Sequence, residues 1–125
     1  CLRMSALGYV AVAFVYGYAK AWLLEARRAS DESLLTQLAW VLREELEFRY
    51  AVERKLLPLA GMSAETARLV TSGAFAAVHD GNALRFADAF AGGWLYSKAY
   101  DEGGLLSAVA THGLHNYGVH LGARA

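Results

Sequence analysis

The side chains able to do chemistry in this chain fall into three clusters: carboxylates, histidines and aromatics. The carboxylates are Glu44, Glu45 and Glu47, with Glu53 further on. Glu45 continues the apolar stripe of Leu38 and Val41, which lets it point inward. Helical bundles that bind two metal ions place inward glutamates this way, but pair them with Glu-x-x-His units. No glutamate here has a histidine three residues later. The plainer expectation is a solvated face, with Glu45 paired to Arg49 and Arg43 to Glu47 at i,i+4.

Three histidines, His112, His115 and His120, lie in THGLHNYGVH. His112 and His115 share a helical face at i,i+3 and can offer two ligands to a metal. No nearby acid completes the set, Gly113 and Gly118 soften the backbone, and His79 can join only through tertiary folding. These imidazoles are therefore expected at the surface or an interface, with no metal and no cofactor. The chain lacks His-Glu-x-x-His, a glycine-rich phosphate loop and a nucleophile elbow. Nothing in the spacing of Ser, His and Asp suggests a triad.

The aromatics include Tyr9, Tyr16, Tyr18, Trp22, Trp40, Phe75, Phe86, Phe90, Trp94, Tyr96 and Tyr100. Tyrosine and tryptophan bury apolar area while keeping a polar tip. They suit a bundle core or an interface. Tyr16, Trp94 and Tyr96 are the candidates for lining a pocket around a flat ligand.

Five helical segments can position these groups. The first runs from about Leu2 to Ala29. It includes an uncharged stretch, Met4 to Ala19, whose sixteen residues fall short of the roughly 20 that span a bilayer. A central, buried helix is the expectation, with Ala11, Ala13, Gly17, Ala19 and Ala21 admitting a close neighbour. Ser30-Asp31-Glu32 reads as an N-cap followed by acids favoured by the helix dipole. Helix 2 spans about Asp31 to Leu57 and ends at Pro58 and Gly61. Helix 3 starts after Ser63, a second N-cap with Glu65 close behind, and ends near His79, at the Asp80-Gly81 turn. The fourth covers about Asn82 to Tyr100, with Leu84, Ala87, Phe90 or Ala91, and Trp94 inward. Asp101-Glu102-Gly103-Gly104 is a turn, and helix 5 begins near Leu105 and frays among Gly113, Gly118 and Gly122.

A chain of 125 residues is about one domain, here residues 1–125. It is 56% apolar with a single proline, which excludes wholesale disorder. Twelve basic and twelve acidic residues balance, which argues against a general nucleic-acid clamp. The lone cysteine, Cys1, excludes an internal disulfide and points to a reducing cytoplasm. Cys1 reads as the second codon after a removed methionine. Thirteen of the twenty-four charges lie between Glu25 and Lys55, so helix 2 is expected to be the wet one. If nucleic acid is bound, Arg43, Arg49, Arg54 and Lys55 are the expected phosphate contacts.

The order of an aromatic-rich first helix, then ARRASDESLLTQLAWVLREELEFRYAVERKLLPLAGMSAE, then AFAAVHDGNALRFADAFAGGWLYSKAY resembles the TenA-type, haem-oxygenase-like helical proteins. The resemblance covers about residues 10 to 100. It implies an all-helical fold and, in the thiamin-salvage members, an aminopyrimidine held among aromatics. The tyrosine of that family's site falls on Tyr96, but its catalytic cysteine falls on Gly92. Its aspartate in the first helix and its C-terminal glutamate have no counterpart.

The reading is an all-α, compact bundle of four to five helices. Its apolar surplus and incomplete catalytic sets point to a non-enzymatic, cytoplasmic assembly subunit. Such a subunit self-associates or docks in a larger, even nucleoprotein, complex, as coat proteins and effector-complex small subunits do. A membrane partner is not expected. The alternatives are a TenA-like small-molecule binder around Tyr16, Trp94 and Tyr96, and a metal bundle using His112 and His115.

Overall fold

A computed structural model describes residues 4–23, 33–79 and 81–124. Cys1, the expected Ser30-Asp31-Glu32 cap, both ends of the expected first helix and Asp80 lie outside the described residues. Among the described residues there is no strand, and the expected all-α class holds.

Helix α1 is Ala6–Leu23 and α2 is Leu34–Glu44. Ser33 caps α2, its hydroxyl accepting the Thr36 N–H at 3.2 Å. The chain then continues as a π-helix, Glu45–Leu56, and closes on a single α-turn, α3, Leu57–Leu59. Gly61, at φ 90°, ends this run. Helix α4, Ala64–Ala77, starts at the expected cap, Ser63, which accepts the Thr66 N–H at 3.2 Å.

The π-helix is the main departure from the expected helix 2. Its hydrogen bonds close five residues apart, a winding that recurs at functional sites. Charges at a four-residue spacing, Glu45, Arg49 and Glu53, all face inward and are buried. The expected pairing of Glu45 with Arg49 is present, but inside the protein (N···O 3.6 Å). Arg43 and Glu47 form the expected exposed pair at 2.9 Å.

Helix α5, Ala83–Arg124, breaks at Gly104 (φ 71°, ψ −162°). Glycine alone adopts such a backbone cheaply. The two halves fold back on each other, so Tyr96 before the break stacks on His112 after it. The turn expected at residues 101–104 thus reverses the chain, although its first three residues are helical.

The second half of α5 does not fray at its glycines. A Cβ on Gly118 would lie 2.4 Å from the Phe14 carbonyl oxygen, and one on Gly122 would lie 2.3 Å from that of Tyr18. Gly17 answers from α1, where a Cβ would meet the His115 carbonyl oxygen at 2.3 Å. These three glycines let two backbones touch, which holds His115 and His112 at a set depth.

The inward face of residues 83–103 differs from the expected one. Leu84 and Trp94 are exposed, while Gly92, Gly93, Tyr96, Ser97 and Ala99 are buried. The neighbour explains the choice: a Cβ on Gly93 would come within 2.8 Å of an Arg49 nitrogen. This part of the core is a ladder of charges, so small and polar residues face it.

Candidate active site

The charge ladder starts at α4 and ends at a cavity. Arg68 donates to Glu65 at 2.6 Å and to the Ser97 hydroxyl at 2.8 Å, and also pairs with Asp101. Ser97 in turn donates to Glu53 at 2.6 Å. Arg54 bonds Glu53, and donates to Asp101 at 2.5 Å. Arg49 spans Glu53 (3.2 Å) and Glu45 (3.6 Å) with no exposure of its own. Glu45 then meets His112 Nδ1 at 2.8 Å.

Beyond His112 lies a cavity of about 560 Å³. Its wall includes Glu44, His79, Tyr96, His112, His115 and Asn116. Glu44 is the neighbour of Glu45 but points to the cavity, 3.8 Å from His112 Nε2. His79, at the end of α4, has its Nδ1 2.6 Å from the Phe75 carbonyl oxygen. A carbonyl only accepts, so Nδ1 donates and Nε2 is left for the cavity. Asn116 follows His112 by one helical turn and therefore shares its face.

The His112 ring is fixed from three sides. Tyr96 stacks on it (centroids 4.2 Å, planes 11° apart), Phe75 meets it edge-on at 5.8 Å, and Glu45 holds Nδ1. Such support from a carboxylate sets the orientation of an imidazole and keeps a proton on Nδ1. The arginine ladder does for Glu45 what Glu45 does for His112.

A second chain of hydrogen bonds runs behind Tyr96. Its hydroxyl bonds His115 Nδ1. His115 Nε2 lies 3.1 Å from Lys20 Nζ, and Lys20 is 2.8 Å from Asp88, which accepts from the Tyr16 hydroxyl at 2.5 Å. Burial, with Lys20 and His112 adding to it, pushes the His115 pKa down to about 3. Burial also pushes the Tyr96 phenol well above its ordinary value, with Glu45 reinforcing the shift. For Asp88 burial acts upward, but hydrogen bonds from Lys20 and Tyr16 outweigh it and hold the carboxyl below its usual range. Partial burial and Asp88 raise Tyr16 to about 12.

The residues singled out from the sequence are dispersed. Tyr96, His112 and His115 all reach the cavity, and His115 also bonds the Tyr96 hydroxyl. Tyr16 lines an adjoining apolar recess that shares Lys20, Arg85 and Asp88 with the cavity. Trp94 belongs to neither; it is exposed, with the Lys98 ammonium 5.2 Å from its ring centre. Arg43 and Lys55 are exposed, Arg54 is held in the ladder, and Arg49 is wholly buried. These four cations do not make one phosphate-binding surface. Among the described residues no three His, Cys, Asp or Glu side chains are grouped to hold a metal ion. The acid judged missing beside His112 is Glu45, brought from 67 residues away.

A carboxylate, two oriented imidazoles and a carboxamide facing one cavity, with a second carboxylate behind one of the imidazoles, are equipment for adding water to a carbonyl. Residues 32–118, more than two thirds of the chain, match the Rce1-like family, described as type II CAAX prenyl endopeptidase Rce1-like. The chain belongs to that family. The matched span holds Glu44, His79, His112 and Asn116, while Lys20 lies before it. No curated protein and no solved structure matches the chain.

Membership overturns several expectations. The TenA resemblance rested on helix order and aromatics, and the family match replaces it. The non-enzymatic assembly subunit gives way to a family of endopeptidases. The cytoplasmic placement falls as well, because this is a family of membrane proteases. Among the described residues no helix is long and apolar enough to cross a membrane.

Reasoning from sequence passed over Glu44, His79 and Asn116 as a set. The available signals were adjacent acids with an arginine one turn on, Phe75 one turn before His79, and His112 one turn before Asn116. Each helix supplies a fragment, and no spacing rule within one helix joins them.

Proposed function

We propose that this chain hydrolyses the peptide bond after the prenylated cysteine of a C-terminal Cys-a-a-X sequence. The observation that carries the reading is the division of labour between the adjacent glutamates. Glu45 is buried and committed to Arg49 and His112, while Glu44 faces a cavity that His79 also lines, 3.8 Å from His112 Nε2.

In this reading a water molecule sits between Glu44 and His79 Nε2. Glu44 takes its proton as the water oxygen attacks the scissile carbonyl carbon. Base catalysis of this kind contributes about 10²- to 10⁴-fold. The carbonyl oxygen becomes an oxyanion, which the His112 imidazolium meets through Nε2–H and Asn116 through its amide. Glu45, accepting from Nδ1–H, balances the imidazolium's charge. As the tetrahedral species collapses, the C–N bond breaks and Glu44 returns its proton to the leaving amine.

The test is to incubate the protein with a farnesylated peptide ending in Cys-a-a-X and weigh the products. Release of the C-terminal tripeptide, with one water added across the bond, is expected. A peptide left intact by folded protein, or cut elsewhere, contradicts the reading.

A further inference from the structure

We propose that the Tyr96 hydroxyl is a catalytic hydrogen-bond donor, aimed at the reacting carbonyl oxygen by Lys20 acting through His115. The proposal rests on the hydrolase reading above and adds a group to it.

The argument is one of proton accounting. An ammonium has three donors and no acceptor. Lys20 Nζ therefore donates to Asp88 Oδ2 (2.8 Å) and to His115 Nε2 (3.1 Å). The other Asp88 oxygen is taken by Tyr16 at 2.5 Å, which fixes the carboxylate that fixes Lys20. A neutral imidazole that accepts at Nε2 carries its proton on Nδ1. Burial keeps His115 neutral over the ordinary pH range. His115 Nδ1–H thus donates to the Tyr96 oxygen, and not the reverse.

Tyr96 is then left with an O–H proton that this bond does not use. The side chain is 2% exposed and forms part of the cavity wall. Gly92 lies alongside, and a Cβ there would sit 3.2 Å from the phenol oxygen. Gly92 also lines the cavity, so a side chain there would press on the hydroxyl from that side. The Tyr96 ring is stacked on His112, so its hydroxyl works beside the imidazole that faces the same oxyanion. Lys20 and His115 are positioning residues: they act by orienting the Tyr96 proton.

Tyr96→Phe keeps the stacked ring and removes only the hydroxyl. Losing one oxyanion donor costs about 10²- to 10³-fold in kcat. With the farnesylated peptide as probe, kcat is expected to fall by about 10²-fold with KM and the thermal midpoint little changed. Lys20→Met frees Nε2, so it is expected to lower kcat in the wild-type background and to add nothing in the Tyr96→Phe background. Nitrogen-15 NMR of His115 supplies a readout independent of turnover. The Nδ1-protonated tautomer is expected in the wild type, with loss of that preference in Lys20→Met.

Unchanged kcat in Tyr96→Phe, or an Nε2-protonated His115 in the wild type, overturns the proposal. A wild-type protein that leaves the peptide intact refutes the hydrolase reading, and the catalytic role falls with it. The His115 tautomer then still reports whether the hydroxyl is aimed as inferred.

Discussion

Arg49 holds a glutamate on each side, and the two have different fates. Glu53 is saturated: Arg49, Arg54 and Ser97 occupy its oxygens, and the chain of bonds closes on Asp101 and Arg68. Glu45 is only part used. One oxygen holds His112, and the other faces Arg49 beyond hydrogen-bond length and is left without a hydrogen-bond partner. Chemically equal groups on one helical face thus become a structural tie and a link to a reactive imidazole. What separates them is the neighbouring helix, which offers Ser97 to one and His112 to the other. Burial and charge alone do not mark an active site; an open cavity at the end of the chain of bonds does.

The largest break in that comparison comes from Arg49→Met. It strands both carboxylates in the core, and uncompensated buried charges cost about 3–5 kcal/mol. Denaturant titration is expected to show a loss of that order, with activity lost as well. A variant as stable as the wild type contradicts the ladder.

Glu45→Gln and Glu53→Gln sharpen the comparison. Glu45→Gln can still accept from His112 but removes the charge behind it, so kcat is expected to fall by about 10²-fold or more, as for a triad carboxylate. Glu53→Gln is expected to cost about 1–3 kcal/mol of stability and to leave kcat within about twofold of wild type. Equal kinetic losses in the two variants show that the glutamates are not functionally different.

The last expected effect is a pH signature at the open end. His115 titrates near 6.5 when unfolded and at about 3 when folded. The unfolded chain therefore binds the extra proton between those values, and stability declines as pH falls through that window. Lys20, Asp88, His112 and Tyr96 surround this imidazole. His115→Gln is expected to flatten the decline between about pH 6.5 and pH 4 when melting midpoints of the two proteins are compared. Parallel curves count against a neutral His115.

Much of the fold was legible in the sequence because local chemistry decides it. Ser63 caps α4, and Gly104 reverses the chain close to where a turn was read. The small residues of α1 do admit a neighbour. The inward face of residues 83–103 was misread because apolar periodicity assumes an apolar core. Here the core beneath is Arg49, so Gly93 and Ser97 face in while Trp94 faces out. The site was less legible still. Glu45 could be seen to point inward, but its partner His112 arrives from a different helix. Of the glycines read as soft spots, Gly118 and Gly122 are contacts that bring α1, and with it Lys20, against this helix, while Gly113 faces Leu38 of α2.

Glu44→Gln tests the central claim most directly. It deletes the base while leaving Glu45, Arg49 and His112 bonded as they are. With the farnesylated Cys-a-a-X peptide, kcat is expected to drop by about 10³-fold, within the range for loss of a general base, while the thermal midpoint stays within a few degrees of wild type. Retention of most of the activity in this variant contradicts the assignment of Glu44 as the group that activates water.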